Sequence, residues 1–197
     1  MSYRWFSLLL FSTLIVFSTK LSGQKNNEVK SFVTTLKEGA LLIRMESRDD
    51  ALRILREKER NEEAAELERK QYLEIKETRL SFEQTFTFCP VYFFYAKDSE
   101  LIREGRLNGL IFNAQEEPVK VANMPKQYYT AEFSETPKLG ITGLIIMDEK
   151  LLPLEGPLPH FERKFVWFGL RELSKAQMAE AYNERLWSLY NKYQTKN

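Results

Sequence analysis

The sequence predicts a single α/β domain: a mixed sheet of about five or six strands, a charged helical hairpin over about 48–86 and a C-terminal helix. Three observations lead there. Short runs rich in β-branched and aromatic residues recur along the chain, at Gly39–Met45, Pro90–Ala96, Gly109–Phe112, Tyr128–Phe133 and Ile141–Met147, which suits strands. A densely charged stretch of good helix formers separates the first two runs. The chain then closes on apolar residues spaced as one face of a helix. A length of 197 residues suits one domain, and a chain of that size can bury a self-sufficient core.

Residues 1–23 have the layout of a signal peptide: Arg4, an apolar run from Trp5 to Phe17, then a polar end with small residues up to Gly23. The run is shorter than the roughly 20 residues that cross a bilayer, so no stable transmembrane anchor is expected, an uncleaved anchor being the alternative. Cleavage after Gly23 removes Arg4 and Lys20 from the 29 basic residues and leaves 27 against 28 acidic. The expected location is the periplasm or the exterior. Such a neutral chain lacks the basic excess that polyanion binding needs, and no nucleic-acid partner is expected.

Residues 24–31 read as a flexible lead-in and residues 32–194 as the single domain. Gly39–Met45 is a short apolar run suited to a strand covered on both faces. Ser47 with Asp50 has the spacing of a helix cap. From Arg48 to Arg79 there are nine basic and ten acidic residues, a solvated helical face rather than a binding patch. Its apolar residues fall into two groups around a polar gap, Arg56 to Glu63, where Asn61 can take a left-handed conformation. Two helices, roughly 48–60 and 62–86, are expected as a hairpin, with one long helix as the alternative. This hairpin is also a candidate arm for a protein partner or a homo-oligomer.

Pro90–Ala96 is the strongest strand in the chain. Asp98 and Ser99 open a short helix ended by Gly105, and Gly109–Phe112 follows as a strand, suggesting a compact parallel unit. Tyr128–Phe133 and Ile141–Met147 are strands joined through Pro137 and Gly140. Pro153, Gly156, Pro157 and Pro159 make the next segment irregular, and 161–168 is an edge strand or an aromatic loop. Ser174 with Gln177 caps a last helix whose stripe runs through Ala179, Tyr182, Leu186, Leu189, Tyr190 and Tyr193.

The chemistry is bounded by single residues. With one Cys and one His, neither an intramolecular disulfide nor a zinc site of ordinary type can form within one chain. No phosphate-cradling glycine motif is present, and Gly140 with Gly143 is too sparse to be one. No cofactor and no metal are expected. Cys89, inside the most apolar stretch of the mature chain, reads as a buried thiol with a raised pKa. The weak catalytic candidates are Cys89 as nucleophile and His160 as base. The weak ligand candidates are Arg163, Lys164 and Trp167, where cations and aromatics mix; the plainer reading turns Phe165 and Trp167 into the core and Arg163 and Lys164 to water.

The run from Phe86 to Tyr95 (Phe-x-Phe-Cys-Pro-Val-Tyr-Phe-Phe-Tyr) and the run from Pro157 to Arg163 (Pro-x-Pro-His-Phe-Glu-Arg), together with the signal peptide and the charged hairpin, resemble an uncharacterised family of small exported α/β proteins of Bacteroidota-type bacteria. The resemblance implies export and a common framework and brings no catalytic residues. The expected function is a non-catalytic binding or structural module of the cell envelope. The alternatives are a hydrolase using Cys89 and His160 and a docking or oligomerisation protein acting through the hairpin.

Overall fold

In the computed structural model, which describes residues 24–136, 139–166 and 171–195, the apolar run Ala40–Met45 forms β1, an inner strand of a five-stranded sheet. β2 (Val91–Tyr95) lies on one side of it and β3 (Tyr128–Glu135) on the other, both parallel to it. β4 (Thr142–Met147) returns antiparallel to β3, and β5 (Phe161–Arg163) pairs antiparallel with β4 at the far edge. A two-stranded ribbon, β6 (Phe165–Val166) with β7 (Arg171–Glu172), follows.

Strand periodicity divides β1 between two cores. Leu41, Ile43 and Met45 pack among α1 (residues 24–38), α3 (Asn61–Thr85) and α5 (Lys175–Gln194). Ala40 and Leu42 face α4 (Ser99–Arg103) and the irregular chain beyond it, through Ile102, Leu107, Ile111 and Met124. One domain results, with helices on one face and α4 plus loops on the other. Phe82 of α3 sits in the first core, its ring centroid 5.7 Å from Phe86, 5.8 Å from Phe133 and 6.5 Å from Phe93.

α1 replaces the expected flexible lead-in. Residues 24–31 are its first two turns, because Val29, Phe32, Val33 and Leu36 fall at i, i+3, i+4 and i+7 and are all buried. The Tyr193 hydroxyl donates to Asn26 Oδ1 at 3.4 Å, tying the start of α1 to the end of α5.

α2 (Asp49–Glu57) and α3 make the hairpin. Arg48 and Glu74 pair at 2.8 Å near its base and Arg56 and Glu68 at 2.9 Å nearer its tip, as antiparallel neighbours must. Two details differ from expectation. Ser47 does not cap α2: the N-cap is Arg48, without a side-chain bond. The left-handed residue is Glu59, at φ 57°, and Asn61 already belongs to α3. Arg60 N–H donates to Leu55 C=O at 2.9 Å and Glu59 N–H to Arg56 C=O at 3.1 Å, a Schellman closure that satisfies the last carbonyls of α2.

The expected parallel unit after β2 does not form. α4 ends at Gly105, whose φ is 74°, and the chain turns back so that Phe112 alone meets Phe93, in an isolated antiparallel bridge. The crossover is too short to bring a second parallel strand alongside. At the other end, Ser174 accepts from Gln177 N–H while the Gln177 side chain accepts from Ser174 N–H, a reciprocal cap for α5. Asn183 Oδ1 on α5 accepts from the backbone N–H groups of Thr87 and Phe88, at 2.9 and 3.0 Å, and so fixes the passage from α3 to β2.

Gly143 permits the β4–β5 pair. A Cβ there would stand 2.2 Å from the Glu162 carbonyl oxygen and 2.6 Å from the Phe161 ring. Gly143→Ala is expected to push β5 off the sheet and lower the unfolding free energy by about 1–3 kcal/mol; urea denaturation reads this, and unchanged stability would show that the edge can yield.

Candidate functional site

Cys89 precedes β2 and is buried in the core that also holds Tyr182 and Leu186 of α5. Burial pushes its thiol up to about 12, while the nearby Lys37 ammonium and the Leu41 backbone N–H pull weakly the other way. Lys37 is itself engaged: it donates to the Phe88 carbonyl at 2.7 Å and lies 4.3 Å from the Trp187 ring centre. The thiol environment is that of an inert packing residue. The adjoining Tyr182 hydroxyl is also driven well above its ordinary pKa by burial and has no hydrogen-bond partner among the described residues.

His160 stands just before β5, half-buried, with its backbone carbonyl accepting from Ile146 N–H at 2.9 Å. Its Nδ1 lies 2.7 Å from the Leu158 carbonyl oxygen, which can only accept, so Nδ1 carries the proton and donates. β2 and β5 are the two edges of the sheet, four strand spacings or about 19 Å apart. The fold therefore places Cys89 and His160 in separate surroundings.

The ligand candidates on β5 separate too. Arg163 ends β5 and turns toward a cleft of about 480 Å³ beside β4, which His160 also lines. Lys164, one residue on, points to a different cleft and pairs with Glu172 at 2.7 Å, as consecutive residues of extended chain must. Phe165, expected in the core, is 45% exposed. Trp167 lies outside the described residues.

The cleft at Arg163 is mainly apolar. Leu139, Ile141, Ile145, Leu154 and Phe161 supply its apolar lining. Pro153 joins this lining, so the segment that reads as irregular is one side of the cleft. Among the described residues Arg163 forms no ion pair. A mainly apolar lining joined by Arg163, His160, Thr136 and Glu155 has the composition of a small-molecule site. The lining aliphatics are invisible to motif reading, because Ile141 and Ile145 read as ordinary strand residues.

Among the described residues no group of three or more His, Cys, Asp or Glu could hold a metal ion, and no helix is long and apolar enough to cross a membrane. No protein-family model, curated protein sequence or solved structure matches the chain.

The Cys89 thiol carries a sign for pH dependence. Its folded pKa of about 12 lies above the ordinary value of 9.0, so its contribution to stability is complete below about pH 9 and is lost as pH rises toward 12. Native protein at pH 8 is expected to react with a thiol reagent orders of magnitude more slowly than urea-unfolded protein, and Cys89→Ala to flatten part of the stability loss above pH 9. Rapid native labelling would contradict the assignment.

Proposed function

We propose that the protein is an exported, non-catalytic binding module of the cell envelope that takes a small amphipathic anion in the cleft beside β4 and β5. The observation that carries the reading is Arg163, without an ion-pair partner among the described residues, at the margin of an apolar cleft of about 480 Å³. A guanidinium in such a place can bind a carboxylate bidentately while the aliphatic walls take the apolar body. His160 adds a second polar residue to the same lining. Export rests on the signal-peptide layout of residues 1–23 and on the family resemblance. The hydrolase alternative has little support, since its nucleophile is buried and protonated and its base stands on the opposite edge of the sheet.

One observation favours the docking alternative for the hairpin: Tyr72 and Leu73 of α3 are 56% and 49% exposed. Sedimentation of the purified chain across concentration tests it, and a strictly monomeric result counts against self-association.

Calorimetric titration of the full chain with decanoate tests the main reading. Binding is expected, with Arg163→Gln weakening it roughly tenfold, the scale of one charge-assisted hydrogen-bond pair. No heat of binding, or an affinity indifferent to Arg163, would refute it. Intact-mass analysis of exported protein is expected to find an N-terminus close to Gln24, and a retained leader would contradict the export reading.

A further inference from the structure

We infer that a second cleft, at the carboxyl ends of β1 and β3, binds a zwitterion with an apolar side chain: a free apolar amino acid or a short peptide. Its position follows from the topology. β1, β2 and β3 run in one direction. From the end of β1 the chain leaves through the hairpin toward β2, whereas from the end of β3 it leaves toward β4. Neighbouring parallel strands whose connections depart in opposite directions leave a crevice between their carboxyl ends, and ligands of open α/β sheets bind there. In this protein that place holds a cleft of about 450 Å³, within the range of small-molecule sites.

Its chemistry differs from that of the cleft at Arg163. The apolar part comes from Met45, Ile75, Phe133 and Met178. Around it stand charges of both signs, four basic groups and five carboxylates, of which Glu46 is in none of the pairs below. Arg44 on β1 pairs with Glu132 on β3 and donates through Nε to Ser99 Oγ at 2.9 Å. Arg48 pairs with Glu74 at 2.8 Å, and Lys164 with Glu172 at 2.7 Å. The fourth pair is open: Lys175 Nζ and Glu77 Oε2 are 3.6 Å apart, beyond hydrogen-bond reach. The ammonium instead donates to Thr78 Oγ1 at 2.9 Å and to the Glu74 carbonyl at 3.3 Å.

A ligand of one sign fits this rim poorly. An anion would approach five carboxylates and a cation four basic groups. A ligand with both an ammonium and a carboxylate meets a partner for each. Glu77 is the acceptor placed for the ammonium, and Lys175 the donor for the carboxylate. Lys175 is also the first residue of α5, a helix of 20 residues with no acidic side chain in its first turn, so the positive end of its dipole adds to the same charge. The apolar lining then takes the side chain of the ligand.

Calorimetry on the full chain with four probes tests the assignment: L-leucine, leucyl-leucine, N-acetyl-leucyl-leucine and leucyl-leucine amide. At least one of the two unblocked compounds is expected to bind, with either block weakening the dipeptide roughly tenfold or more. Tighter binding of leucine assigns the site to a single amino acid, and tighter binding of leucyl-leucine assigns it to a peptide. Lys175→Met is expected to weaken the unblocked compounds while leaving the amide unaffected, and Glu77→Gln to do so while leaving the N-acetyl compound unaffected, circular dichroism confirming that both variants fold. Equal affinity for blocked and unblocked dipeptides, or no binding of either unblocked probe at millimolar concentration, would overturn the inference. This cleft shares no lining residue with the one at Arg163, so the two readings fail independently.

Discussion

The structure depends on the burial of β1 on both faces. Ala40, Leu41, Leu42 and Ile43 have no exposed surface, and the strand is hydrogen-bonded on one side to β2 and on the other to β3. Apolar area removed from water is the main favourable contribution to folding, and a strand apolar on both sides cannot be stable until both are covered. That requirement draws α1, α3 and α5 to one face, and α4 with its following loop to the other. The parallel neighbours of β1 follow from the same demand, since parallel strands connected by crossovers bring covering elements with them.

Most polar groups that enter this arrangement are satisfied, the Tyr182 hydroxyl and Arg79 Nε being the exceptions among the described residues. Thr78 and Ser81 of α3 are buried, and their hydroxyls donate to the carbonyls of Glu74 and Glu77, at 2.8 and 2.7 Å. Buried Arg79 donates to the Ala114 carbonyl at 2.7 Å and pairs with Glu116, which itself adopts a φ of 67°, so α3 clasps the loop that follows Phe112. Arg44 marks the point where β1 emerges from cover. Its guanidinium is held by Glu132 and Ser99, as a partly buried cation requires. Both clefts lie where strand order stops covering strand surface: one at the carboxyl ends of β1 and β3, the other where β4 and β5 form the thin edge of the sheet.

Features set by local chemistry were legible in the sequence. β1, β2, β3, β4 and the reciprocal cap at Ser174 and Gln177 stand where residue type and spacing put them, and the two-helix hairpin is present. Features set by distant partners were not. The polar start of α1 reads as flexible until Val29 is counted with Phe32, Val33 and Leu36, a stripe that was available in the sequence. Phe112 forms isolated bridges to Phe93 and Pro118 rather than a strand because the chain reverses after Gly105, which residue type cannot reveal. Glu59, rather than Asn61, takes the left-handed turn because the Schellman bonds from the Arg60 and Glu59 N–H groups to the Leu55 and Arg56 carbonyls fix the position whatever its side chain. The candidate site was legible only in part: His160 and Arg163 do share a cleft, whereas Lys164 faces another and Cys89 lies in the core, a partition that follows from strand order.

Amide hydrogen exchange resolved by residue tests the central place of β1 most directly. The account predicts that the amides of Leu41, Leu42 and Ile43 exchange only through global unfolding, with protection equal to the full unfolding free energy, while those at the tip of the hairpin around Glu59 open locally and much faster. Local opening of β1 below the global free energy, or protection at the hairpin tip equal to that of β1, would contradict it.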